Sequence, residues 1–192
     1  MTTRDLVQRL RSRHGELVSE PVEFRNEFTI ELANPERIAE VCEYAKHSLG
    51  FDFLLDISSL DSYGEDPRWT IVYELYGLAH RCHLRLKTRV SEETSELPTV
   101  TRVWRTADWH EREIYDMMGI RFRGHPDLRR ILMWEGYPYF PLRKDFPLAG
   151  RPTDLPEVAF TQPAPMEGGP FVTTPAQAGA DDREPRAKSF GP

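Results

Sequence analysis

The sequence predicts an α+β fold: a two-layer sandwich of helices on a mostly antiparallel or mixed sheet of four to five strands, followed by an extended C-terminal segment. Three observations carry that reading. Two stretches of helical periodicity flank a stretch of period two. Three β-rich runs then follow in close succession. Beyond Gly150 periodicity stops, and residues 151–192 hold eight of the sixteen prolines.

The elements follow in order. Leu6, Val7 and Leu10 share one helix face, so the opening segment reads as a short amphipathic helix. Val22, Phe24, Phe28, Ile30 and Leu32 all fall on even positions, the signature of a strand with one buried face, broken near Asn26. Asn34-Pro35 offers a cap and an N1 proline. The helix they start carries Ile38, Val41, Cys42, Ala45 and Leu49, and Gly50 stops it. Phe51–Leu60 is apolar enough to predict a central strand. Trp69–Tyr76 and His80–Val90 are joined by the turn at Gly77–Ala79, and in the second of them Leu84 and Leu86 alternate with Arg85 and Lys87, so one face is wet.

Composition narrows the classes. A chain of 192 residues holds one domain plus an extension. A body of about 150 residues buries roughly 70% of its unfolded surface and needs no disulfide or metal staple. The 39% hydrophobic content is low, so part of the chain stays outside the core. A net charge of −6 gives no attraction to nucleic acid, and no run of 18 apolar residues is present to span a membrane. The N-terminus lacks the apolar core of a secretory signal, and Asp5 and Glu16 argue against a transit peptide. Cys42 and Cys82 lie in different elements and suit reduced thiols in the cytosol.

The organisation is therefore an α+β domain over 1–105, a helix with a basic and aromatic docking loop over 106–150, and an extended Pro-rich tail over 151–192 with Phe160, Phe171 and Phe190 as isolated anchors. In the middle segment Asp108 and Glu111 have the spacing of a capping box, which starts a helix running from Trp109 to Met118 with Gly119 after its end. Asp108, Glu111 and Glu113 then sit in the first turn, at the positive end of the dipole. From Arg121 to Arg151 seven Lys/Arg face three acids, a local +4 in a chain whose remainder is −10. Trp134, Tyr137, Tyr139 and Phe140 interleave with Pro138 and Pro141, residue types that dominate protein interfaces.

Sharper chemistry is weighed against plainer readings. His110-Glu111 lacks the second histidine of H-E-x-x-H, since position 114 is Ile. Strand alternation separates His83 from His80 and Cys82. Glu113 and Asp116, spaced i, i+3, share a helix face; they read as partners of Arg112, Arg129 or Arg130 rather than as an acid–base pair. Arg143-Lys144-Asp145 between prolines reads as a fixed loop whose cations meet acidic groups of a partner, ahead of phosphate binding.

One run is specific. Glu111-Arg112-Glu113, Asp116, Met117-Met118, His125-Pro126, Arg129-Arg130 and Ile131-Leu132, followed by Pro141-Leu142-Arg143-Lys144-Asp145, resembles the two hallmarks of the 30-kilodalton subunit family of the proton-pumping NADH–quinone oxidoreductase, respiratory complex I. The likeness covers residues 1–150; Met133–Phe140 departs from the acidic linker expected there. It implies a peripheral-arm subunit on the cytoplasmic side of the bacterial inner membrane, without a catalytic centre, cofactor or metal of its own. FMN and iron–sulfur clusters belong to partner subunits, chiefly cluster-bearing neighbours and the quinone-site subunit. The residues just named are then signature and docking positions. Two distant cysteines agree, because a cluster normally takes four thiolates. Rivals are the equivalent subunit of a membrane-bound hydrogenase, a ferredoxin-linked or a photosynthetic dehydrogenase complex, and a stand-alone hydrolase using His125 with Glu113 or Asp116.

Overall fold

The computed structural model describes residues 2–147. The expectations for the tail at 151–192 lie outside the described residues.

Helix α1 (Thr3–His14) starts in a reciprocal cap: the Thr2 hydroxyl accepts from the Asp5 N–H while the Asp5 carboxylate accepts from the Thr2 N–H. Leu6, Val7 and Leu10 are buried, as their spacing predicts. A 3₁₀ turn (Gly15–Leu17) leads to β1 (Val22–Phe24) and β2 (Glu27–Leu32). These are two arms of a hairpin, not one interrupted strand. Arg25 and Asn26 both take positive φ, 51° and 67°, which reverses the chain in two residues.

Asn34 accepts from the Glu36 N–H and Pro35–Arg37 forms a 3₁₀ turn, so α2 proper begins at Ile38 and runs to Leu49. Gly50 ends it in the left-handed region, at φ 75°. Strands β3 (Phe53–Asp61), β4 (Trp69–Gly77) and β5 (Cys82–Val90) complete the main sheet, in the order β1-β2-β5-β4-β3. Only β2 and β5 run parallel; the other pairs are antiparallel. The sheet is thus mixed and five-stranded, as the sequence predicts.

The expected position of β3 needs correction. It is an edge strand, and the central strands are β5 and β4. The physical difference lies in the neighbours: β4 buries Trp69, Ile71, Tyr73 and Leu75 completely, whereas β3 leaves Phe53, Leu55 and Leu60 half exposed. Four of its nine residues are Asp or Ser, a content that an edge tolerates and a strand covered on both faces does not.

Register places Leu54, Ile57, Tyr73, Leu75, Leu84 and Leu86 on the face that joins the helices' buried residues in one core. The other face carries Glu74, His83, Arg85, Lys87 and Arg89 along β4 and β5, and Arg85 bridges Glu74 and Glu27 there. Both cysteines are free and buried, Cys42 on α2 and Cys82 on β5.

A second, two-stranded parallel sheet adds to the predicted elements: β6 (Glu96–Pro98) beside β7 (Arg121–Arg123). It brackets helix α3 (Ala107–Met118), bringing both ends of the helical segment back to one place. Leu97 and Phe122 are its buried pair.

Candidate functional site

Helix α3 organises the segment that the sequence singles out. Its start differs from expectation. Thr106 is the N-cap, with helical φ −62° and ψ −25° and no side-chain cap, and Asp108 lies inside the first turn. Glu111 does not close a capping box, because its carboxylate is drawn into the core by better donors. The Thr99 hydroxyl donates to Oε2 at 2.5 Å and the Val100 N–H to Oε1 at 2.7 Å. Burial nevertheless dominates, and with the nearby Asp108 charge it pushes the Glu111 pKa up to about 7 against the pull of those two hydrogen bonds.

The other two acids of α3 part company. Glu113 is exposed while Asp116 is fully buried, so they do not share one environment. Asp116 Oδ2 accepts three consecutive backbone N–H groups, from Ile131 at 3.0 Å, Leu132 at 2.7 Å and Met133 at 2.8 Å. Its Oδ1 takes Arg130 Nη1 at 2.5 Å, and Arg130 Nη2 goes on to the Tyr139 carbonyl. Burial alone would raise this carboxyl, but the bonds from Met133, Arg130, Leu132 and Ile131 outweigh it and hold the pKa below the ordinary value. Arg112, also buried, meets no carboxylate among the described residues; it donates to the carbonyls of Arg129 and Arg130 and lies over the Trp109 ring. One face of α3 thereby fastens the loop at 129–133 through both signs of charge.

His125 has no exposed side-chain surface. Its Nδ1 accepts the Asp127 N–H at 3.0 Å, which leaves Nε2 as the donor toward the Asp108 carbonyl at 3.3 Å. Nε2 is also 3.2 Å from Asp108 Oδ1 and 3.9 Å from Glu111 Oε2. Its acidic neighbours are therefore Asp108 and Glu111; neither Glu113 nor Asp116, the partners a hydrolytic reading needs, is among them. Pro126 and Arg129 are exposed, and Arg129 pairs with Asp127 at 2.8 Å.

A second seam holds Pro141–Asp145. The Leu142 N–H donates to the Met117 carbonyl at 3.1 Å and Arg143 Nε to the Met118 carbonyl at 2.6 Å, satisfying the last turn of α3. Gly119 makes room for this: besides its φ of 76°, a Cβ there would lie 2.6 Å from Arg143 Nη2 and 2.7 Å from the Phe140 ring. The Lys144 N–H donates to Asp61 Oδ2, and Asp145 takes Arg68 Nη2 at 2.5 Å. Arg68 is the buried hub of this seam. It forks onto both oxygens of Asp61 at 2.8 Å, reaches Glu92, and stacks over Trp69. Leu142 and Lys144 turn their side chains outward. Arg143 and Asp145 thus make their contacts within the chain. Among the described residues no group of three or more His, Cys, Asp or Glu is placed to hold a metal ion.

Residues 32–152 match the family described as respiratory-chain NADH dehydrogenase, 30 Kd subunit. The chain belongs to this family. It is 53% identical over 135 residues to a C-type NADH-quinone oxidoreductase subunit of Rhizobium meliloti (strain 1021), covering 69% of this chain and 74% of the relative. Against the C-type NADH-quinone oxidoreductase subunit of Geotalea uraniireducens (strain Rf4) it is 42% identical over 144 residues, 75% of this chain and 87% of that one. Among solved structures, the trypsin-resistant fragment (1-134) of Nqo5 superposes with a TM-score of 0.57 at 34% identity, covering 67% of this chain and 100% of the fragment. A chain of the membrane-bound sulfane sulfur reductase, an archaeal respiratory membrane complex, has a TM-score of 0.66 over 76% of this chain and 85% of its own. At 21% identity it shares the fold alone.

The family match takes in both seams, including residues that the sequence did not flag. Thr99, Asp61, Arg68 and Glu92 supply the other half of the contacts. Asp61 ends β3 and Arg68 directly precedes β4, a turn apart, and only the folded hairpin makes them a pair. The one available hint is an arginine directly before the apolar run of β4, an expensive place for a charge without a partner.

Two expectations follow, with opposite pH signs. Glu111 has a folded pKa above its unfolded value of 4.5, so its contribution is fully present below pH 4.5 and is lost as pH rises through about 7. Stability to urea should fall by up to about 3 kcal/mol across that window, and Glu111→Gln should flatten the slope. An unchanged slope in the variant would refute the assignment. Asp116 has a folded pKa below its unfolded value of 3.8, so its contribution is full above pH 3.8 and disappears as pH falls through the lower folded value. Asp116→Asn turns an amide NH₂ toward either Arg130 or three N–H donors. It should cost about 3 kcal/mol at pH 7 in the same titration. A loss under about 0.5 kcal/mol would mean the carboxylate is dispensable.

Proposed function

We propose that the chain is a non-catalytic peripheral-arm subunit of an NADH–quinone oxidoreductase. In this reading it supports electron transfer from NADH through flavin and iron–sulfur centres of other subunits to quinone, coupled to proton translocation. The observation that carries the proposal, beyond family membership, is what the signature segment does with its polar groups. Asp116, Arg130, Arg112, Arg143 and Asp145 are spent on fixing a loop to α3 and the sheet, while Trp109, Leu132 and Leu142 stand 58–62% exposed on that rigid frame. A rigid loop that presents apolar side chains outward is built to be covered, since leaving such groups in water forgoes about 1.5–3 kcal/mol for each large one.

The cofactor assignment follows from the same economy of residues. FMN and iron–sulfur clusters fall to neighbouring subunits; the two cysteines here are buried and separate, and burial pushes the Cys42 thiol far above its ordinary value. The quinone-site subunit and cluster-bearing neighbours are the partners this reading names. No helix among the described residues is long and apolar enough to cross a membrane. In this reading the chain is held through the complex, on the cytoplasmic face of the inner membrane. A second reading, the equivalent subunit of a related hydrogenase, ferredoxin-linked or photosynthetic complex, draws on the fold shared with the sulfane sulfur reductase chain.

The test uses the full chain, tagged, recovered from membranes in mild detergent. Flavin and iron–sulfur subunits should co-elute with NADH-oxidising, quinone-reducing activity. Recovery should drop at least about tenfold in the doubly substituted Leu132→Asp, Leu142→Asp chain, an amount equal to about 1.4 kcal/mol. A complex that lacks NADH oxidation favours the second reading. A lone soluble monomer overturns both.

A further inference from the structure

Four clefts among the described residues can be compared by their charge. The one beside β2 and β5 sets Lys87 and Arg89 against Glu16 and Glu31. Another there holds Lys87 with Glu20 and Glu31, and the cleft between α1 and α2 sets Arg13 against Glu40 and Glu43. Each of these is balanced or acidic. The fourth lies between the segment after β6, the start of α3 and the residues after β7. It is lined by Thr101, Arg102, Arg105, Asp108, Gly124 and Pro126, and its volume is about 450 Å³.

That cleft holds two guanidinium groups against one acid. Arg102 and Arg105 are both exposed, and neither side chain makes a hydrogen bond, ion pair or ring contact with any described residue. Asp108 does not neutralise them, because its Oδ1 is turned to the buried Nε2 of His125, 3.2 Å away. That oxygen is itself buried and accepts no hydrogen bond, as Nε2 is directed at the Asp108 carbonyl. The cleft therefore presents unused donors at its rim, while that buried oxygen is closed off from it. It does so on a rigid base, since β6 and β7 pair on one side and the Glu111 carboxylate ties Thr99 and Val100 to α3 on the other.

We infer that this cleft is a docking site for an acidic peptide segment of a neighbouring subunit. A side-chain carboxylate of that segment would pair with Arg102 and Arg105. The inference rests on the reading of the chain as a subunit of a larger complex. The occupant follows from charge: two unpaired arginines in a chain of net charge −6 favour a carboxylate. The volume of about 450 Å³ admits a few side chains, more than a bare anion fills, which suits a peptide segment. Charge at this rim sets which partner surface is accepted and in what register.

The experiment uses the tagged full chain in membranes, with a photo-crosslinking residue at Thr101. In parallel it uses the Arg102→Glu, Arg105→Glu chain and, as control, the Lys87→Glu, Arg89→Glu chain. The expected result is a crosslink to a segment of another subunit rich in Asp or Glu, identified by mass spectrometry. Recovery of the complex should fall about tenfold in the first variant and stay near wild type in the control, while circular dichroism shows both folded. A crosslinked segment without acids, a crosslink to lipid alone, equal losses in both variants or no loss in either overturns the inference and leaves the subunit reading standing. If the unsubstituted chain brings down no complex, the subunit reading falls and this inference falls with it.

Discussion

A carboxylate removed from water must find its donors inside the protein, and on α3 Asp116 finds them in a loop that has few other reasons to be ordered. Three consecutive N–H groups from Ile131 to Met133 converge on one of its oxygens and Arg130 takes the other. Each is a charge-assisted bond, stronger than a neutral one and made where the dielectric is low. Removing the acid leaves three donors and a guanidinium without a partner, a loss larger than the value of the pair itself. The path of the chain at 131–133 depends on this one group.

From that anchor the contact runs on through stacked cations. Arg130 lies over Phe140, Phe140 faces Arg143, Arg143 lies over Trp69, and Trp69 is covered by Arg68. Contacts of this kind are worth about 0.5–2 kcal/mol each, depending on desolvation. The ladder connects the seam at Asp116 to the seam at Asp61, so the loop is tied at two places near the C-terminal end of α3. Gly119 is the gap through which Phe140 and Arg143 reach the helix end. A loop held in this way keeps its apolar side chains at fixed positions, which is what a recognition surface requires at low entropic cost. Glu111 works at the other end of the helix with the opposite pH dependence, so the two ends of α3 respond differently when acidity changes.

How much of this is legible in the sequence follows from which forces are local. Period and punctuation find the helices, the strands and the stop at Gly50, because each depends on residues a few positions apart. The hairpin at Arg25-Asn26 is only half visible: Asn26 suits a positive φ, but nothing in Arg25 signals one. The edge position of β3 escapes a sequence reading because residue type does not report burial: Phe53, Leu55 and Leu60 are apolar and yet half exposed. Asp116 stands out in the sequence, with Arg130 among its expected partners. The three N–H groups do not, since backbone donors leave no mark on the residue types. Arg68 stays hidden for a related reason: its partners Asp61, Glu92 and Asp145 are brought together only by the folded sheet and loop.

The most direct measurement of the central claim is amide hydrogen exchange of the full chain, compared with an Asp116→Ala variant. Ile131, Leu132 and Met133 lie in irregular structure, yet their N–H groups should be strongly protected in the wild-type chain. In the variant they should exchange near the rate of an open loop while the amides of β4 keep their protection. Fast exchange at these three positions in the wild type, or protection that survives the loss of the carboxylate, would contradict the claim that Asp116 orders the loop.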